Sequence, residues 1–436
     1  SRVNKRFWRK SDFGKKNYLN GGFPKLHPHS YIALQFTNSG VQRSRENGVN
    51  KSYDALIVGG GVMGCSIQYN LAERGMTRTL LLEKDVLGSG STSRSQAILR
   101  MHYSNPETAM MAWESLKIFR NFEEITGVSS GYTKTGYLLA VPQHYRTPML
   151  DNLQMQQQLG IDVNEVDSQF VQDLGLNAYP EESEAYAWEP LSGFADPYSV
   201  TLGYANRSRE FDCEIQVESE VKGINIDRDK VVGVKTRDGD VYSDKVVVAA
   251  GPWSAPLLKE LGLDFAIETV RHQVFLLDRG EDPANRIPII GDVSLNFSAR
   301  PDIGNVIMVG VGEDEVVGPN EYNQSVDTDM LVKTQADLAR RIPGLLDASF
   351  VGGWSGLFTV TPDWHPILSS IEGIEGLYVA IGFSGHGFKL SPMIGQVMSE
   401  IILGQESKIV DVSSLGANRF KEGQLMKSRY DMQVLA

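Results

Sequence analysis

Cysteine is nearly absent from this sequence: Cys65 and Cys213 are the two among 436 residues. Two thiols build neither a disulfide framework nor a zinc cluster, and such a chain suits a reducing compartment. Long apolar runs are also missing. Stretches such as 377–383 fall far short of the ~20 residues a membrane-spanning helix needs, so no transmembrane segment is expected. Positive charge is in deficit. The formal net charge is −12, which argues against nucleic acid as a partner. Histidine is sparse, and the short pair His27 and His29 has no third ligand near it, so no metal site is expected. What remains is the composition of an ordinary globular protein, 41% hydrophobic and 22% charged, without repeats or low-complexity blocks. Its length favours two domains.

The charge is unevenly placed. Residues 1–50 carry ten lysines and arginines against Asp12 and Glu46, so the rest of the chain is more acidic than the whole. This arm lacks sustained periodicity and contains "NGGFP" and "NSG", both loop signals. It reads as a surface tail. A basic, acid-poor targeting remnant is a second reading, and docking on the acidic body or on a partner subunit is a third. The chain begins at Ser1 rather than Met, from which a processed or trimmed start is expected. The compartment expected is the cytoplasm or, in a eukaryote, the mitochondrial matrix.

Beyond the arm, "DALIVGGGVMGCSIQYNLAERGMTRTLLLEKD" (54–85) reads as strand, glycine turn, helix, strand and acid. Strands are expected over 55–58 and 79–82, and a helix over 64–74 with Gly75 as its stop. Gly59, Gly61 and Gly64 have the G-x-G-x-x-G spacing in that context. Gly59 permits the tight turn, Gly61 lets the backbone approach a pyrophosphate, and Gly64 lets helix and strand pack closely. The helix start offers N–H donors and a positive dipole end to phosphate. Glu83 ends the second strand, where a carboxylate accepts from ribose hydroxyls and repels a 2′-phosphate. A dinucleotide other than NADP is expected.

Downstream, helices are expected over 107–122, 150–159 and 328–341, and strands over 136–141, 269–277, 306–311 and 376–382. Residues 214–251 read as a β-meander with a hairpin turn at Asp238-Gly239. In "GFSGHGFKLSPMIGQVMSEII" (382–402), Ser391 and Pro392 fit the N-cap and first turn of an amphipathic helix.

Three further stretches carry a resemblance: "KVVVAAGPWS" (245–254), "TVTPDWHPI" (359–367) and "GFSGHGFK" (382–389). With the glycine turn they resemble the D-amino-acid-oxidase and sarcosine-oxidase-like family of FAD proteins over residues 53–404, with sarcosine oxidase beta subunits and amino-acid dehydrogenases as the group most like it. The resemblance implies an α/β protein: a Rossmann-like FAD-binding domain over 51–135, 200–262 and 345–415, and a mostly antiparallel sheet substrate domain over 136–199 and 263–344. The arm 1–50 and a C-terminal tail 416–436 lie outside both.

The resemblance also implies a site. FAD contacts are expected from Gly59, Gly61, Gly64, Glu83 and Lys84, and from Ser91, Thr92 and Ser95 in a loop of small residues. Val221 is expected to meet adenine through its backbone. Ala250, Gly251, Trp253, Gly356, Gly385, His386, Gly387, Phe388 and Lys389 complete the set. The implied reaction is hydride transfer from the α-carbon of a secondary or primary amino acid to flavin N5, giving an imine that hydrolyses. Sarcosine, dimethylglycine, proline-like and D-amino acids are the candidate substrates. Arg100 and Lys389 match family cations that anchor the substrate carboxylate, and His272 matches a histidine near the flavin. His365 is expected to be structural.

Some positions depart from the pattern. Gly356 stands where monomeric sarcosine oxidases attach FAD through cysteine, and Phe358 replaces a common tyrosine. Residues 193–203 hold no histidine for a second flavin. One non-covalent FAD is therefore expected. No lysine occurs from Arg279 to Val332, where Arg300 is the main cation. That favours a dehydrogenase slightly over an oxidase, with oxygen, a carrier flavoprotein or a quinone as electron acceptor. Two rival readings stand beside this one: a flavoprotein assembly or scaffold factor, and an FAD-dependent 2-hydroxy-acid dehydrogenase.

Overall fold

The computed structural model describes residues 52–180, 182–280 and 287–430. The basic arm, and the readings made on it, lie outside these residues. The described residues belong to one compact unit.

A six-stranded sheet carries the glycine turn. Its order is Glu214–Gln216, Thr79–Leu82, Ala55–Val58, Val246–Val248, Leu377–Ile381 and Ile367–Ser370. Neighbours are parallel except the last pair. Both faces are buried, which is why these strands read as unbroken apolar runs. Alternation divides them. Ala55, Ile57 and Leu81 pack with the helices Val62–Glu73 and Gly387–Ile402. Leu56, Val58 and Leu80 pack with Ile224, Val231 and Val234 of the meander built from Val221–Asp227, Lys230–Thr236 and Gly239–Ser243. The turn after Ala55–Val58 thus opens at the carboxyl end of a central parallel strand, where α/β sheets take their ligands.

An eight-stranded sheet runs Ser349–Val360, Glu268–Asp278, Val306–Val316, Phe297–Pro301, Ile289–Asp292, Tyr137–Pro142, Glu184–Glu189 and Asn164–Val166. It is antiparallel except between Ile289–Asp292 and Tyr137–Pro142. Leu138, Phe275, Ile290 and Val309 form a core with Leu338 of the helix Thr328–Arg341. That helix ends in a buried ionic triad: Arg341 Nε lies 2.7 Å from Asp292 and Nη2 lies 2.6 Å from Glu184. The period of two turns Tyr137, His272, Gly291, Ser298 and Gly310 to the opposite face, where they line a cavity.

The expected mixed α/β architecture, with a mostly antiparallel second sheet, is present. Three details differ from the sequence reading. Ser391-Pro392 does not open the last long helix: it starts at Gly387 after His386, and Pro392 lies inside it. The proline forfeits the bond to the Phe388 carbonyl, and the buried stripe of Met393, Ile394, Val397 and Met398 offsets that loss. The strand Ser349–Val360, assigned to the FAD-binding part, pairs along Glu268–Asp278 in the other sheet. The segment after residue 415 packs on the body, with Arg419 and Tyr430 both buried.

Candidate active site

Two cavities meet between the sheets. The first is a cleft of about 1400 Å³, its open mouth included, that begins at the glycine turn. Gly59 has φ +111°, and a Cβ there would sit 2.5 Å from the Ala249 carbonyl oxygen. A Cβ on Gly64 would sit 1.9 Å from the Gly59 carbonyl oxygen. Gly64 does not line the cleft, so its part is helix–strand packing. Gly61 caps the helix Val62–Glu73 without a side-chain bond, and the first turn holds no acid. The dipole end is left for a ligand anion. Glu83 accepts from Gly60 N at 2.6 Å and from Asp85 N at 2.9 Å, which fixes its carboxylate on the cleft wall. Lys84 lies 3.3 Å over the Trp253 ring. Ser91, Thr92, Ser95, Val221, Ala250, Gly251, Gly356, Gly385, Gly387 and Phe388 also line this cleft. A cleft that combines a bare helix start with a clamped carboxylate fits a dinucleotide.

The second cavity encloses about 1910 Å³, again including its mouth. Arg94, Ser95, His272, Phe358, Gly385 and Phe388 line both spaces, so the two adjoin there. Arg100, His386 and Lys389 belong to the second cavity rather than the first. Arg100 leaves a short strand, Ile98–Leu99, on coil; Lys389 sits in the first turn of Gly387–Ile402. A cation at a helix start is unfavourable in itself. Burial, and then the Arg100 charge, hold the Lys389 amine well below the usual lysine range. The balancing acid is Glu189, whose carboxyl is pushed up by burial. Its Oε2 accepts from Met101 N at 2.9 Å and from Ser192 Oγ at 2.5 Å, while Oε1 has no partner among the described residues.

The imidazoles here are neutral. His272 stacks on Phe358 with centroids 4.3 Å apart, and burial brings its pKa down to about 4. His386 is lowered well below its usual range by burial, then by Lys389 and Arg100. Its Nδ1 lies 3.3 Å from Tyr103 Oη, and Tyr103 in turn lies under the Arg100 guanidinium, 4.6 Å from ring centroid to Cζ. Three glycines make the room. A Cβ on Gly291 would stand 2.1 Å from Tyr137 Oη, one on Gly310 2.3 Å from Gln96 Oε1, and one on Gly312 3.0 Å from His272 Nδ1.

Sequence reasoning missed several residues at the second cavity: Tyr137 lines it, and Glu189 lies close enough to act on Arg100 and Lys389. Glu189 and Tyr137 lie in strands, and nothing in the local pattern separates them from ordinary strand positions. Ala97, Asn296, Trp364 and Ser384 all have positive φ without being glycine, and all four line the second cavity. Such strain gathers at functional sites, but it is invisible in one sequence. Arg300 is not drawn in. It is buried, donates to Gln96 O at 2.7 Å and lies over the Phe194 ring. His365 is structural, held between Asn105 and the Asp363 carbonyl. Among the described residues no cluster of metal ligands occurs, and no helix is long and apolar enough to cross a membrane.

Comparison with known proteins agrees with this geometry. The chain is 25% identical over 383 residues to sarcosine oxidase subunit beta of Rhodobacter capsulatus, covering 86% of this chain and 90% of that one. It is 25% identical over 389 residues to the mitochondrial dimethylglycine dehydrogenase of Rattus norvegicus, covering 84% of this chain but 45% of that longer protein. The crystal structure of L-proline dehydrogenase from P. horikoshii superposes with a TM-score of 0.79 at 26% identity, covering 87% of this chain and 100% of that one. The model of the family described as DAO, FAD dependent oxidoreductase, matches residues 54–401. The chain belongs to this family of FAD-dependent oxidoreductases, and its cofactor is FAD.

Proposed function

We propose that this protein oxidises an amino acid, with the substrate carboxylate held between Arg100 and Lys389. The observation that carries the reading is a pair of buried cations, Arg100 and Lys389, facing one cavity and offset in part by the nearby Glu189, while Asp292 in the same wall is taken up by Arg341. Excess positive charge on buried groups calls for an anionic ligand, and the fork of a guanidinium suits a carboxylate. Val270, Val274, Phe297 and Phe358 offer apolar wall for the remainder of the molecule. The names of the three relatives point to sarcosine, dimethylglycine and proline, all N-alkylated amino acids. We therefore put an N-alkylated amino acid first.

In this reading the six-stranded part is the FAD-binding domain and the eight-stranded sheet covers the substrate. Gly59, Gly61 and Thr92 hold the pyrophosphate, and Glu83, Lys84 and Val221 the adenosine end. Gly356, Gly385, Gly387 and Phe388 border the flavin ring. FAD supplies the acceptor for the hydride that leaves the α-carbon. Arg100 and Lys389 orient the substrate by its carboxylate, which sets the α-carbon at the junction of the two cavities. His272, neutral and held flat by Phe358, presents a ring nitrogen to the amine without adding charge. Attachment is non-covalent in this reading: Gly356 has no thiol, and Cys65 is buried with Sγ against the Gly60 carbonyl. The lysines lining the two cavities are Lys84 and Lys389. One lies over Trp253 and the other is assigned to the carboxylate, which leaves none to promote reaction with oxygen and favours a dehydrogenase. The likeness to an oxidase subunit supports a partner subunit.

Anaerobic titration of the flavin band with sarcosine, dimethylglycine, proline, D-amino acids and 2-hydroxy acids tests this. Bleaching by an amine is expected, with slow return of colour in air. Bleaching by hydroxy acids alone would overturn the amine assignment, and a flavin that no member bleaches would favour a scaffold role.

A further inference from the structure

Arg100 stands on irregular backbone. Residues 100–104 form neither helix nor strand, so side-chain and tertiary bonds must fix the guanidinium. One of them is internal: Arg100 Nη1 donates to the carbonyl of His102. Met101 N donates to Glu189, and Gln156 donates to the Tyr103 carbonyl; further bonds come from the last described stretch of the chain. Tyr430 Oη lies 2.7 Å from His102 Nε2. Arg429 N donates to Ser104 Oγ at 3.1 Å, and Ser428 Oγ lies 3.4 Å from the same oxygen. The Tyr430 ring packs edge-on against Tyr145 at 5.5 Å. The stretch is anchored upstream by Arg419, which reaches both oxygens of Asp363 at 2.8 and 2.9 Å, and by Met426 N, which donates to Asp363 at 3.2 Å.

We infer that this C-terminal strap, through the Tyr430–His102 hydrogen bond, positions Arg100 for the substrate carboxylate. Tyr430 is a positioning residue and touches no substrate. The inference rests on the carboxylate assignment made above.

The bond is well defined. The His102 ring is fully buried, and burial, then the Arg100 charge, bring its pKa down to about 3, so it stays neutral in ordinary buffers. Its Nδ1 has no partner among the described residues. A buried orphan N–H is rarer than a buried bare acceptor, so we assign the proton to Nε2, which donates to Tyr430 Oη. Removing the hydroxyl leaves that donor without its acceptor, or forces the other tautomer and a shifted ring. Either way the constraint on the carbonyl that receives Arg100 is lost. The ring packing against Tyr145 would survive a phenylalanine, so the two contributions of Tyr430 are separable.

The test is a spectral titration of the FAD-loaded full chain with propionate, a carboxylate without a reacting amine, and with propionamide, its uncharged counterpart. Tyr430→Phe is expected to raise the propionate Kd about three- to tenfold, the loss of one net hydrogen bond, and to leave the weak propionamide affinity unchanged. His102→Asn should give a similar rise, and the double variant no further one, because both act through one bond. A Tyr430→Phe protein that binds propionate as the parent does overturns the inference. So does one that loses both ligands alike, since that marks general loosening. If the parent itself shows no propionate binding, the carboxylate assignment fails and this inference with it.

Discussion

Replacing Lys389 by methionine should move stability and ligand affinity in opposite directions. In the free protein this lysine is a liability. It is buried, it sits at the positive end of a helix and it faces Arg100. Methionine keeps much of the volume and removes the charge, so Lys389→Met is expected to raise Tm. The ligand side has the reverse sign. One charge-assisted hydrogen bond to the carboxylate disappears, worth ~1.5–3 kcal/mol, or roughly a 10- to 150-fold rise in propionate Kd. Arg100 remains, so binding should weaken rather than vanish.

The pH dependence follows from the same group. Its folded pKa is lowered, so the unfolded chain holds this proton more tightly than the folded protein. The stability linked to it is fully present above the unfolded value of about 10.4 and is lost as pH falls through the lowered folded value. Carboxylate affinity runs the other way, falling as pH rises through the folded value, because the ammonium form binds more tightly than the neutral amine. Lys389→Met should flatten both profiles. Differential scanning fluorimetry and flavin titration across pH measure them. A variant with a lower Tm and unaltered propionate affinity would refute the reasoning, since it would make Lys389 a structural group.

Two further outcomes bear on the cofactor cleft. Gly64→Ala places a methyl 1.9 Å from the Gly59 carbonyl oxygen, backbone against backbone with no flexible end to yield; the purified variant should carry little FAD, read from the ratio of flavin to protein absorbance. Acid precipitation of the parent should release all flavin into the supernatant; yellow colour retained in the pellet would disprove non-covalent attachment.

Much of the fold was legible because its signals are local. The strands Ala55–Val58 and Thr79–Leu82 and the helix Thr328–Arg341 fall where periodicity and glycine punctuation put them. The start of the last long helix was misread because two glycines and a histidine before it look like a turn, and a Ser-Pro pair looks like a cap. Only burial of the whole segment decides between them. The glycine motif announced its cleft since its chemistry is contained in six consecutive residues. The second cavity gave no such notice. His272, Arg100 and Lys389 were named through a family likeness, and the groups around them, Glu189, Tyr137 and Tyr430, come from strands and a terminus with no shared spacing. Contacts such as His102 with Tyr430 span 328 positions, and no local pattern encodes them.

The same groups break local rules in a coordinated way. A lysine opens a helix, an acid keeps an unpartnered oxygen inside a strand, and a tryptophan and a serine take positive φ. Each alone lowers stability; the lysine, the tryptophan and the serine line one cavity, and the acid interacts with that lysine and with Arg100. Glu189 does not cancel the two cations, so the free protein retains electrostatic stress there. A bound carboxylate relieves it by pairing with Arg100 and Lys389 and by drawing the lysine back to its charged form. The favourable interaction is thus reserved for the moment of binding, and it acts on the part of an amino acid that does not react. Orientation of the α-carbon follows from that anchor. An amine lacking the carboxylate should accordingly be a poor substrate even where it fits the apolar wall, because nothing else in the cavity would discharge the cationic pair.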